Sequence, residues 1–332
     1  MRSALRRTCK SARLFSQEGL TMRLDFKLAG ALFSLLFCVS SCSGSSQANP
    51  GSPQTGGTIA TASIGPIAVA AGEEKTVCIV KALDNTEDIV ATSFVSDLAP
   101  GSHHLIFYRS AATAEQLTPT ACNPFEGLLT GDVPLVIVTR GHLEYNLPSG
   151  VGVKLAKGQF LKIEAHYINT TSAPIQGVGS VQVKGTPLAT AGKFQVADVG
   201  LWGTTQINVP AQSSFKTPVY FQAGIAGTNI FALTTHEHHL GTQAQVWQSA
   251  QSGDVAHSIA NDTDWANPAF VTFPQPIAMN GANGLSYQCT WKNSTDTAVS
   301  FGESALNEMC FAIFYYYPGH GTDMCLDGMC QR

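Results

Sequence analysis

The sequence predicts an all-β protein built from two antiparallel β-sandwiches in tandem. Short β-prone runs recur along most of its length, Gly, Pro, Asn and Ser punctuate them, and long helical periodicity is almost absent. At 332 residues, the chain is long enough for two domains of roughly 100–200 residues each. Its 31 Gly, 16 Pro and 13% charged residues suit a β-rich fold, and a formal charge of -4 leaves no basic face for nucleic acid.

The elements follow in order. Arg23 and Lys27 precede a short apolar core at 28–37 that ends in Val39, Ser40, Ser41 and Cys42. An apolar run this short followed by small residues reads as a secretory signal, not a membrane span. Because a cysteine directly follows the small residues, the segment resembles a bacterial lipoprotein signal with Cys42 as the lipidated residue. Met22 is then the natural start, 1–21 a mis-called upstream extension, 22–41 the signal and 42–57 a Ser/Gly/Pro tether. Ser43 is not the aspartate that retains many lipoproteins at the inner membrane, so an exported, lipid-anchored protein of the bacterial envelope, outer membrane favoured, is expected. The membrane is reached through that anchor only. The first sandwich is placed at 58–190 on the runs 75–80, 104–108, 133–138, 160–168 and 179–183. The second, at 191–332, rests on 194–196, 217–221, 230–239, 269–273, 285–291 and 310–317.

The most informative stretch is Thr235-His236-Glu237-His238-His239-Leu240-Gly241. Its apolar flanks read as strand, so His236 and His238 fall on one face with Glu237 turned away, which is two nitrogens of a metal site. A zinc-protease helix needs His-Glu-x-x-His, and the spacing here is different. His103 and His104 are adjacent, and on a regular strand would face opposite ways. They can share an ion only at a bend or strand start, which Gly101 and Ser102 supply. His166 lies in an apolar strand, as does Met309. A thioether beside imidazoles selects copper, especially Cu(I).

Setting aside Cys9, Cys38 and Cys42 leaves Cys78, Cys122, Cys289, Cys310, Cys325 and Cys330 of the nine cysteines, and export permits disulfides. Proximity favours Cys325 with Cys330; the other pairings stay open.

Together these pieces resemble the type II copper, ascorbate-dependent monooxygenases, the family of peptidylglycine α-hydroxylating monooxygenase and dopamine β-monooxygenase. The matching stretches are Gly101-Ser-His-His-Leu105, Leu147-Pro-Ser-Gly-Val-Gly152, Glu164-Ala-His-Tyr167, Thr235 to Gly241 and Glu308-Met-Cys310, in the family's order. The resemblance implies jelly-roll sandwiches separated by an open, water-filled cleft and two copper ions per chain. His103, His104 and His166 would hold an electron-transfer copper. His236, His238 and Met309 would hold the copper where O2 and substrate react. It also implies disulfides Cys78–Cys122 and Cys289–Cys310, and ascorbate or another one-electron reductant as co-substrate. The peptide-amidating members carry an arginine two residues before the His-x-His pair and a tyrosine four after the methionine. Thr234 and Ile313 stand there, which puts a peptide ending in glycine in doubt, while Phe311, Ile313 and Tyr315 suggest an apolar pocket. The expected function is hydroxylation of a C–H bond in a small organic or peptide-like substrate. The alternative is a copper-binding or copper-delivery lipoprotein without turnover.

Overall fold

The computed structural model describes residues 57–331. The expectations for the signal segment, for Cys42 and for the tether up to residue 56 lie outside the described residues. Those described belong to one compact unit and are nearly all β, with a five-residue helix at Glu126–Thr130 and a short 3-10 turn at Leu188–Thr190. No helix among them is long and apolar enough to cross a membrane.

Four principal sheets make the body. One runs in the order Thr58–Val69, Ile175–Pro187, Ile89–Leu98, Val151–Leu155 and Gln195–Val196, with His142–Asn146 also paired to Ile89–Leu98. The next runs Gln116–Ala121, Glu74–Ala82, Phe160–Ile168, Ser102–Arg109 and Val133–Val138. The third orders Val271–Ala278, Asn229–His236, Phe311–Tyr317, Asp198–Gly203, Asp323–Leu326 and Met329–Gln331. The fourth sets Ser213–Lys216 and Tyr220–Ala223 against Gly284–Asn293, followed by Gly241–Ser249 and His257–Asp262. Alternation shows why these runs are strands. In Thr58–Val69, Ala60, Ala62 and Ile64 point inward, and a register shift between Ile64 and Ile67 restores the inward phase for Ile67 and Val69.

The third sheet is buried on both faces, and period-two alternation divides its side chains between two cores. Val199, Leu201, Ile313 and Tyr315 join the core built by the first two sheets. Trp202, Ala312, Phe314 and Tyr316 join the core of the fourth. A register shift between Ile230 and Ala232 lets the consecutive Phe231 and Ala232 both enter the first core. Tyr315 lies 4.5 Å, ring centre to ring centre, from Tyr145, and its hydroxyl accepts from the Ile137 N–H at 3.1 Å. Tyr315, expected at a pocket wall, is therefore a core residue joining the two parts of the chain. Apolar burial and one hydrogen bond fix it there.

The disulfides are Cys78–Cys122, Cys289–Cys310 and Cys325–Cys330. Each tethers a strand to a loop or neighbouring strand.

The Tyr315 junction sets a stability test by denaturant unfolding with the disulfides intact. Tyr315→Phe leaves the Ile137 N–H buried and unpaired, and is expected to cost about 1–3 kcal/mol. Tyr315→Ala, which also opens a cavity between the cores, should cost about 3–5 kcal/mol. An unchanged midpoint for Tyr315→Phe would contradict this account of the junction.

Candidate metal centre

His103 and His104 open the strand Ser102–Arg109, just after Gly101 at φ 84°. The register against Phe160–Ile168 shifts between Ser102 and His104, so His103 occupies a bulge and both imidazoles turn to the same side. His104 sits opposite His166, and Ile106 opposite Glu164, so alternation lays His166, Glu164 and Lys162 in one row on that face. The row carries its own support. His104 Nε2 lies 3.4 Å from Glu164 Oε1, and that oxygen also accepts from the Phe125 N–H at 2.6 Å, while Tyr108 donates to Oε2 at 3.1 Å. His166 Nε2 is 2.8 Å from Glu74 Oε1.

The strand carrying His236 ends there, so the expectation that His238 continues it is corrected: residues 237–240 form a turn. The reason is Glu308. Its buried carboxylate accepts from the His238 N–H at 3.0 Å, the Leu240 N–H at 2.8 Å and the Trp291 indole at 2.7 Å, drawing the backbone out of the ladder. His236 and His238 still meet, with ring centres 5.2 Å apart. His238 Nδ1 faces the Asn307 carbonyl at 3.0 Å, which fixes its proton on that nitrogen. His239 turns away and is exposed.

The open, water-filled cleft implied by the family resemblance is absent at the histidines. His103 stands 5.0 Å, ring centre to ring centre, from both His236 and His238, and the two sets form one cluster. The shared core under Tyr315 holds them together. His103, His104 and His166 offer nitrogens within 4.8 Å of one another, and so do His103, His236 and His238. His103 thus belongs to both triplets, although sequence reasoning gave it to the first alone. Met309 is buried and lines the same hollow as His236.

The donor set fits copper. Five buried ring nitrogens, His103 Nε2, His104 Nδ1, His166 Nδ1, His236 Nε2 and His238 Nε2, have no hydrogen-bond partner. Burial first and neighbouring imidazoles second hold His103, His104 and His236 well below the usual histidine range. Burial takes His238 down to about 4 against the bond to Asn307. Neutral imidazoles with bare lone pairs are metal ligands in waiting, and orphaned buried acceptors are otherwise costly. The surrounding carboxyls move the opposite way. Burial lifts Glu164 and Glu308 to about 7 despite their donors, and burial with Glu308 beside it lifts Glu237 to about 9.

Two hollows flank the cluster. One, of about 150 Å³, opens beside His236 and Met309 and is walled by Phe125, Leu128, Leu201, Phe311 and Ile313, with Glu303 its ionisable group other than His236. The other, of about 400 Å³, lies at His103 and Trp265. Glu74, Glu303, Phe125 and Trp265 were not singled out from the sequence. Glu164 and Glu308 lay inside recognised stretches without a role. A buried acid two residues before a ligand histidine was the available signal for Glu164.

Residues 196–331 match the copper type II ascorbate-dependent monooxygenase family, C-terminal domain. Over 207 residues the chain is 24% identical to the DBH-like monooxygenase protein 2 of Mus musculus, a match covering 56% of this chain and 33% of that protein. The chain thus spans about a third of that relative's length. Among solved structures, the major capsid protein P2 of bacteriophage PM2 is similar over 76% of this chain and 95% of its own, with 8% identity and a TM-score of 0.33, a likeness too slight to carry an argument. The likeness to the copper type II ascorbate-dependent monooxygenases thus lies in the second half of the chain, where residues 196–331 match that family's C-terminal domain.

Proposed function

We propose that this protein hydroxylates a C–H bond of a small, mainly apolar substrate, using O2 and an external one-electron reductant such as ascorbate. One observation carries the reading: the five unpaired imidazole nitrogens converge beside an apolar hollow that opens on His236 and Met309. Two copper ions per chain are proposed, one on His103, His104 and His166 for electron transfer, the other on His236, His238 and Met309 for the reaction with O2. Copper in these sites would supply one-electron redox chemistry, and the thioether of Met309 would bias its site toward Cu(I).

The chain's own residues do the rest. Glu164, Glu74 and the Asn307 carbonyl orient His104, His166 and His238, so the bare nitrogens point inward. Phe125, Leu128, Phe311 and Ile313 keep water from the reacting centre and hold the apolar body of the substrate. A hollow of about 150 Å³ suits a body on the scale of one ring. No Arg or Lys among the described residues lines it, so a terminal carboxylate would enter without a cationic partner, which argues against a peptide ending in glycine. A copper carrier without turnover has no use for such a hollow, which is why the enzyme is preferred. The division into domains at 58–190 and 191–332, and export with a lipid on Cys42, belong to this proposal.

Copper loading tests the assignment. The protein should take up two copper equivalents, and X-ray absorption on the reduced form should show a copper–sulfur component that vanishes in Met309→Ile. Persistence of that component would move the sulfur ligand to Met324 or Met329. With a panel of small aromatic and aliphatic compounds, oxygen uptake should depend on substrate and be lost in both His236→Ala and His103→Ala, while carbon monoxide binding to reduced protein is lost only in the former. A pure carrier would consume no oxygen with any compound. For anchoring, a fatty-acid analogue fed to expressing bacteria should label the wild type and spare Cys42→Ala; equal release of both proteins would refute lipidation.

A further inference from the structure

Glu74 is the first residue of the strand Glu74–Ala82, on the first part of the chain, yet its carboxylate serves both histidine sets. Oε1 faces His166 Nε2 at 2.8 Å and accepts from the Ala305 N–H at 2.7 Å, and Oε2 accepts from the Ser304 hydroxyl at 2.8 Å. Ser304 and Ala305 begin the turn that runs to Met309. Within it, the Asn307 N–H donates to the Ser304 carbonyl at 2.9 Å, and the Asn307 carbonyl faces His238 Nδ1 at 3.0 Å. A continuous path therefore leads from His166 through Glu74 and the turn to His238, with Met309 two residues beyond Asn307.

We infer that Glu74 is a positioning residue, a latch that couples metal occupancy at His166 to the placement of His238 and Met309. The inference rests on the copper reading above. The physical reason is tautomeric. For Glu74 to accept from His166, the imidazole proton must sit on Nε2, which leaves Nδ1 bare toward the cluster, where it has no other partner. A cation at Nδ1 holds that tautomer and polarises the Nε2–H bond, strengthening the bond to Glu74. The same carboxylate oxygen then grips the turn through Ala305 while its partner oxygen grips Ser304. Metal at one set thereby quietens the loop that supplies the other. The Cys289–Cys310 disulfide anchors the far end of this loop, and Glu74 is its non-covalent anchor at the near end.

Hydrogen exchange on the full chain, with and without anaerobic Cu(I), tests the latch. In the wild type, amides of residues 304–308 should exchange roughly tenfold more slowly with Cu(I) bound. In Glu74→Gln, which keeps the shape but loses the charge and one acceptor, that metal-induced protection should be lost while Gly284–Asn293 stays as protected as before. Ser304→Ala leaves the Glu74–His166 contact in place and should reduce the protection alone, a control should Glu74→Gln fold poorly. Two copper equivalents bound by either variant, with wild-type protection of the turn, would overturn the latch. A His103→Ala variant that binds as much copper as the wild type would instead overturn the copper reading on which the latch depends.

Discussion

Excluding water from five converging imidazoles is the constraint on which the rest of the structure depends. Burial penalises charge, so four of these rings are driven toward the neutral form and three nearby carboxyls toward the protonated one. Both shifts describe one deficit, a pocket of lone pairs and carboxyls with too little positive charge. A cation on the imidazoles answers both, satisfying the bare nitrogens and favouring ionisation of Glu164, Glu308 and Glu237. Lys162, whose ammonium is 2.9 Å from Glu126, offsets only part of the rise at Glu164.

Keeping that cluster dry requires the two parts of the chain to close on each other, and the third sheet does this by alternation alone. In Phe311–Tyr317, Ile313 and Tyr315 enter one core while Ala312, Phe314 and Tyr316 enter the other. A one-residue slip would exchange the two sets and put Phe314 where the Tyr315 hydroxyl meets Ile137. From Ala232 to His236 the neighbouring strand pairs with this one residue by residue, so the position of the second histidine set follows from the same register.

The all-β class and the strands that carry the histidines were legible because alternation and turn residues are local signals. A bend or strand start at Gly101 and Ser102 was legible too, since adjacent histidines can converge only where a strand is irregular; that the irregularity is a bulge at His103 came from the pairing register. Other features needed the folded chain. His238 leaves its strand because Glu308, 70 residues away, captures its N–H. Tyr315 reads as a pocket residue in a one-dimensional pattern, and only the stacking of a third layer makes it core. The bond from Ser304 to Glu74 joins residues 230 apart beside the cluster, neither of which stands out by composition or spacing.

The histidines occupy places where regular structure fails: a bulge for His103, a strand end for His236, a turn for His238. Ladder hydrogen bonds cannot fix such positions, and the chain uses buried acids and disulfides there instead. Glu164 holds the loop at Phe125, which Cys78–Cys122 secures; Glu308 holds the turn at His238 and Leu240, which Cys289–Cys310 secures. Phe125 itself adopts φ 58°, an unfavourable conformation for a side chain of its size, and its N–H meets Glu164 there. Of the walls of the hollow, Ile313 and Leu201 belong to the shared core, whereas Leu128 only packs against it. A substitution at Leu128 changes what fits beside His236 without touching the acids and disulfides that hold the imidazoles in place.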